Sequence, residues 1–258
     1  MQDSQSRALM VVFDIDGVVR DVAGSYRRAL ADTVEQFTQG QYRPTMAEID
    51  ALKAEGCWNN DWKASEELVY RFCKAQNLER PTIDYSALVD FFQSRYRGQD
   101  FSGYIQNEPL LMTRAYLEQL TQANIAWGFF SGATRGSASY VLEHRLELES
   151  PVLVAMEDAP GKPDPTGLMA TVETLREGQD SNLSLTVFYV GDTVADIQTV
   201  INARSQYPNI NWIGVGVLPP HAQDSPEYAQ KLKEVGAIAT LNNVQDLTPE
   251  LMQSFDHG

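Results

Sequence analysis

Ala8-Leu9-Met10-Val11-Val12-Phe13-Asp14-Ile15, followed at once by Asp16-Gly17-Val18, is the stretch that decides how this chain folds. Its apolar run does not alternate with polar residues. Continuous hydrophobicity suits a parallel strand covered on both faces. Similar runs recur at Ile125–Phe130, Pro151–Ala155, Leu185–Val190 and Ile210–Val217, with a shorter one at Ala237–Thr240. Helical periodicity fills the gaps, at Leu110–Gln122, Ala133–Glu147, Pro165–Glu177, Ala195–Ser205 and Pro226–Val235. Strand alternating with helix predicts an α/β fold built on a doubly wound, mostly parallel sheet.

One segment breaks the alternation. Between Gly24 and Tyr104 no strand pattern occurs, and amphipathic helices are predicted at Ser25–Gln39, Thr45–Glu55, Lys63–Gln76 and Tyr85–Tyr96. Pro44, Gly56, Pro81 and Gly98 punctuate them. The expected domains are therefore a discontinuous α/β core, 1–21 and 105–258, and an inserted helical domain, 22–104. The tail from Asp246 to Gly258 reads as a short helix with a frayed end.

Composition narrows the function classes. The 258 residues carry 35 acidic and 20 basic side chains, a net charge of −15. A nucleic-acid binder needs a basic face, and an anionic membrane surface attracts the same, so neither partner is expected. Two cysteines, Cys57 and Cys73, are too few for a disulfide framework and suggest a reducing compartment. Met1–Met10 lacks the basic-then-apolar pattern of a signal peptide, and no apolar run approaches a membrane span. A cytoplasmic location is the resulting expectation.

Ligands of open α/β sheets bind outside the carboxyl ends of the strands. There this sequence places Asp14 and Asp16 after the first strand, Ser131-Gly132 after the second, and Gly191-Asp192-Thr193 with Asp196 after the fourth. The loop Gly161-Lys162-Pro163-Asp164-Pro165 follows the third. In a parallel sheet these points share one edge. Packed carboxylates resist joint ionisation unless a cation neutralises them. Oxygen ligands suit Mg2+. Lys162 adds positive charge, and the Ser131 hydroxyl and the amides near Gly132 can donate to phosphate oxygens. A carboxylate can attack phosphorus to give an acyl phosphate that water then hydrolyses. Asp16 sits where it can protonate the leaving oxygen and later activate water.

These motifs, in this order and strand context, resemble those of the haloacid dehalogenase (HAD) superfamily: D-x-D-G-V, S-G, a K-P loop and G-D-x-x-x-D. The likeness covers essentially the whole core, and it implies a Rossmann-like core. The inserted helices resemble the superfamily's C1 cap (subfamily I). Lys162 follows Ser131 by only 31 residues, which leaves no room for a large C2-type cap. The resemblance implies Asp14 as nucleophile and Asp16 as general acid/base with its carbonyl on Mg2+. It implies Ser131 as phosphate-binding hydroxyl and Lys162 as the lysine joining nucleophile and phosphoryl group. Asp192 becomes a metal ligand, and Asp196 a metal or outer partner. Haloacid dehalogenases and phosphonate hydrolases of this type generally lack the second aspartate. Asp16 thus points to a phosphomonoester hydrolase acting on a small phosphorylated metabolite, as a monomer or homodimer. The alternatives are a phosphosugar mutase and a catalytically silent binding or regulatory module. The intact residue set argues against the latter.

Each motif alone has an ordinary reading: Ser-Gly and Lys-Pro are turn chemistry, and G-D-T is a turn with an N-capping aspartate. Other residues are less decided. The segment Trp58-Asn59-Asn60-Asp61-Trp62 can line a substrate pocket through Trp58 and Asn60. Otherwise it is a capping loop, with Asp61 as N-cap and both tryptophans packed in the helical core. That segment and the Asp16–Asp21 run resemble a branch of the superfamily with members fused to an imidazoleglycerol-phosphate dehydratase. Arg20 is a candidate for a substrate carboxylate or second phosphate, or a hinge partner of Asp21 or Asp32. Arg27 and Arg28 read as a solvated face; Arg135, near a helix start after Ser131, is either a phosphate contact or a surface residue, and the helix dipole favours the surface reading. His144, His221 and His257 show no metal-ligand spacing. A P-loop is absent, and Gly214-Val215-Gly216 is not a dinucleotide fingerprint.

Overall fold

The computed structural model describes residues 7–58, 60–177 and 184–256. Residues 1–6, Asn59 and His257 lie outside them. The chain divides into two compact units, one of 1–21 with 110–258 and one of 22–109.

In chain order, β1 (Arg7–Phe13) leads into helices α1 (Tyr26–Phe37), α2 (Met46–Lys53), α3 (Asp61–Ala75) and α4 (Tyr85–Tyr96). Next come α5 (Arg114–Gln122), β2 (Ala126–Phe130), α6 (Arg135–Ser139) and β3 (Leu153–Val154). Then follow α7 (Thr166–Arg176), β4 (Ser184–Gly191), α8 (Val194–Gln206) and β5 (Asn211–Val217). The last elements are α9 (Pro226–Val235), β6 (Ala239–Leu241) and α10 (Pro249–Asp256).

The first unit is an α/β fold on a parallel six-stranded sheet, ordered β3-β2-β1-β4-β5-β6. Central β1 explains its unbroken apolar run. Val11 and Phe13 face a cluster with Tyr116, Leu117, Val141 and Met252, while Met10 and Val12 face Leu168, Val172 and Val200. Burying each such side chain contributes about 1.5–3 kcal/mol. The strand order runs outward from β1 in both directions, so the switch point lies between β1 and β4. Phe13 pairs with Phe129 on one side and Val190 on the other. That register brings Asp14, Ser131 and Asp192 to one sheet edge.

Two expected elements differ in form. The strand read at Pro151–Ala155 is only Leu153–Val154, because the Asp158 carboxylate takes the Ala155 N–H at 2.7 Å and turns the chain off the sheet. The helix read at Ala133–Glu147 is α6 followed by a π-helical turn, Tyr140–Arg145, in which Leu146 N–H reaches back to the Val141 carbonyl at 2.9 Å.

The helical unit packs α1 against α3 and α4 around Leu30, Val34, Leu68, Val69, Leu88 and Phe92. Thr45 and Glu48 form a capping box at α2, and the Asp84 side chain caps α4. The N-cap of α3 is Asn60, which accepts from Lys63 N–H at 3.0 Å, so Asp61 is the first helical residue rather than the cap. Trp58 and Trp62 are half-buried, not core residues. Arg27 is not on a solvated face: it is 3% exposed and paired with Asp50, whereas Arg28 is exposed and covers the Tyr104 ring. Arg27 and Arg28 are adjacent in sequence, and only the folded chain shows which of them meets a carboxylate, the half-buried Asp50 of α2. The unit extends to Pro109 because Tyr104 donates to Asp32 at 2.7 Å and buried Glu108 accepts from Ser25. Among the described residues, no helix is long and apolar enough to cross a membrane.

Candidate active site

Asp14 follows β1 directly, its N–H bound to the Val190 carbonyl at 2.8 Å. Asp192 follows β4, and Asp196 lies in the first turn of α8. Carboxylate oxygens of these three residues come within 4.8 Å of one another, and all three side chains are buried. Lys162, from the loop after β3, enters the same cluster: its Nζ is 2.8 Å from Asp14 Oδ1 and 2.6 Å from Asp196 Oδ1. The ammonium also lies 5.4 Å from the ring centres of Phe130 and Tyr189. Three carboxylates around one lysine leave an excess of buried negative charge, which the low local polarisability makes costly.

The carboxylates differ in how they are held. Asp196 Oδ1 accepts from Lys162 and from the Tyr189 hydroxyl at 3.1 Å. Its Oδ2 accepts from Thr193 N–H at 2.9 Å and Thr193 Oγ1 at 2.6 Å. Burial works to raise this carboxyl, but Lys162 and the Thr193 donors overcome it and hold it below the usual range. Asp14 is different: Oδ1 is buried and, beyond the ion pair with Lys162, no donor is aligned on it. Burial pushes Asp14 up to about 7; Lys162 opposes this, while Asp196 and Asp16 add to it. Burial lowers the Lys162 ammonium, yet Asp14 and Asp196 together hold it above its ordinary value.

The donor set fits a divalent ion. Asp14 and Asp192 offer hard oxygens beside an orphaned carboxylate atom, and the residual charge of the cluster is negative. Asp196, with four donors on its two oxygens, is placed to orient Lys162.

Ser131 directly follows β2 and is buried; its Oγ accepts from Ala133 N–H at 3.1 Å. Gly132 is exposed, with open space where a Cβ would sit, so its amide is accessible. Asp16 keeps 25% of its side chain exposed. Arg20, read as a substrate contact or a hinge partner of Asp21 or Asp32, is wholly buried and paired with Asp16, with the chain curling back after Gly17. Arg135 pairs with Asp158 at the surface. Trp58 and Asn60 belong to the helical unit, where Trp58 donates to Glu55 at 2.8 Å and Asn60 caps α3.

The sequence reading missed the roles of three residues of the site. Thr193, not Asp192, caps α8, in a capping box with Asp196; the T-x-x-D spacing was a readable signal. Tyr189 was hidden in an apolar strand, its only signal a polar handle at a buried position. Gly17 has φ +77°, and a Cβ there would lie 2.2 Å from Asp192 Oδ2. Gly17→Ala is therefore expected to displace the Asp192 carboxylate and strain the turn by about 1–2 kcal/mol. Titration calorimetry with Mg2+ should show a larger loss of ion affinity than the thermal melt shows of stability. Unchanged affinity would refute the close approach.

Comparisons with known proteins place the chain in a family and match its fold. Residues 10–204 match the family described as haloacid dehalogenase-like hydrolase. A curated relative, an imidazoleglycerol-phosphate dehydratase of Phytophthora nicotianae, is 28% identical over 256 residues, covering 95% of this chain and 51% of the relative. The chain thus spans about half the length of that relative. A HAD hydrolase of family IA, variant 3, from Entamoeba histolytica superposes with a TM-score of 0.67 at 16% identity, covering 97% of this chain and 100% of that one. A phosphatase from Thermococcus thioreducens superposes at 0.61 with 20% identity, covering 97% and 100%. At these identities the two structures speak for the fold. The family match, spanning most of the sheet unit together with the inserted helices, carries the assignment: this chain belongs to the haloacid dehalogenase-like hydrolases.

Proposed function

We propose that this hydrolase is a Mg2+-dependent phosphomonoester hydrolase that works through an aspartyl phosphate on Asp14 and takes a small phosphorylated metabolite. The observation that carries the reading is the buried cluster itself. Asp14, with an oxygen no donor is aligned on, lies 2.8 Å from a buried ammonium and beside two further carboxylates at the sheet edge.

In the proposed reaction, an Asp14 oxygen attacks phosphorus, and the bond to the leaving oxygen breaks as Asp16 gives that oxygen a proton. Asp16 then takes a proton from water, the hydroxide attacks phosphorus, and the Asp14–phosphorus bond breaks to release phosphate. Lys162 neutralises charge on the nucleophile and the equatorial oxygens, held in place by Asp196 and Tyr189. The Ser131 hydroxyl and the Gly132 amide are the donors offered to the phosphoryl oxygens. Asp14, Asp192 and the Asp16 carbonyl are the groups that would hold the ion. Its chemistry there is charge neutralisation of the carboxylates and the phosphoryl group.

Phosphate release from a panel of esters, with and without Mg2+, tests this reading. The panel includes p-nitrophenyl phosphate, a hexose phosphate and, given the name of the curated relative, an imidazole-bearing phosphate monoester. Release that stops on chelation and returns with Mg2+ is expected. Isomerised hexose phosphate without phosphate release would make the chain a mutase. Silence toward every ester would make it a binding module.

A further inference from the structure

We propose that Arg20 is a positioning residue for proton transfer, orienting the Asp16 carboxylate from behind; this rests on the hydrolase reading above. Arg20 Nε and one terminal nitrogen both lie 2.6 Å from Asp16 Oδ1. The arginine side chain is 0% exposed, while the aspartate keeps a quarter of its surface open. The cation is therefore the fixed partner, and the carboxylate is the end that meets solvent.

The base of Arg20 is fixed as well. Its N–H donates to the Ile15 carbonyl at 3.2 Å, and its carbonyl accepts from Gly17 N–H at 2.9 Å. It forms isolated bridges with Asp16 on one side and Leu110 on the other, and Leu111 N–H binds the Val19 carbonyl at 2.8 Å. Holder and held residue thus share one short loop, both ends of which are tied. A buried guanidinium is expensive to keep in a loop whose neighbours Ile15, Val18 and Val19 are themselves wholly buried apolar residues. Its Nε–H, fixed in the guanidinium plane, donates to Asp16 Oδ1 along a set direction, which a rotating ammonium would not impose. Proton transfer in both half-reactions needs that direction, since acid and base catalysis depends on geometry before acidity.

The two half-reactions separate this role from a merely structural one. p-Nitrophenolate leaves without a proton, so formation of the aspartyl phosphate from p-nitrophenyl phosphate does not need Asp16 as acid. Its hydrolysis needs Asp16 as base for every ester. For Arg20→Met, stopped-flow mixing with p-nitrophenyl phosphate and Mg2+ is expected to show a burst of one p-nitrophenol per enzyme at the wild-type rate. A steady state about 10- to 100-fold slower should follow. An alkyl phosphate should lose a similar factor in kcat with KM unchanged and no burst. Arg20→Lys, which keeps a buried cation, serves if the methionine variant does not fold, and should show the same selective pattern in smaller measure. Equal slowing of burst and steady state in a folded variant, or no slowing, overturns the proposal. A wild-type protein that releases phosphate from neither ester removes the hydrolase reading and this role with it. An active wild type with an unselective variant removes the Arg20 role alone.

Discussion

Asp14→Asn is expected to abolish phosphate release, by about four to six orders of magnitude for loss of a nucleophile that its neighbours cannot replace. The neighbours explain why. Asp196 has both oxygens committed to Lys162, Tyr189 and Thr193, and Asp16 is tied to Arg20. Neither can move into the attacking position without abandoning a buried partner. The fold should survive. Asparagine keeps the volume and removes one charge from the cluster of three carboxylates, while Lys162 retains Asp196 at 2.6 Å. The thermal midpoint is therefore expected to hold or rise, as is common where a charged cluster serves function over stability. Phosphate release measured beside a melting curve checks both halves. Activity above about one hundredth of wild type would take the nucleophile's role from Asp14.

Lys162→Met should cost both activity and stability. Removing one partner of a buried ion cluster leaves the others uncompensated, at about 3–5 kcal/mol. Here Asp14 and Asp196 both lose their ammonium, and only Asp196 has other donors to fall back on. Urea unfolding followed by tryptophan fluorescence should show the transition of the sheet unit moved to lower denaturant. Asp14→Asn added to Lys162→Met should restore about 1–2 kcal/mol, because it neutralises the more exposed loss. Additive losses in the double variant, or a single variant as stable as wild type, would mean that the lysine does not compensate these carboxylates.

The strands were legible because a parallel sheet buried on both faces needs continuous apolar runs, and the runs at Met10–Phe13 and Val187–Val190 are wholly buried. The order of the motifs at strand ends was legible for the same reason: parallel strands bring their carboxyl ends to one edge. Hidden from the sequence were contacts set by packing between distant segments. Arg27 reads as part of a solvated face, yet it is buried and paired with Asp50, 23 residues away, a carboxylate that only the folded chain brings to it. Tyr189 looks like any core aromatic until Asp196 is seen beneath its hydroxyl. The π-helical turn at Tyr140–Arg145 has no periodic signature distinct from a helix.

Local chemistry, then, determined the α/β class, the inserted helices and which side chains are available at the sheet edge, because hydrophobic period and turn residues act over a few positions. Tertiary structure alone decided which oxygens are already bonded and which is left open: Asp196 saturated, Asp14 lacking an aligned donor, Asp16 anchored by a buried arginine. The reason is that residue type and spacing name the possible partners but not the direction each side chain takes in the folded chain: the Lys162–Asp196 pair spans 34 residues, and even Arg20, four residues from Asp16, turns inward only in the folded loop.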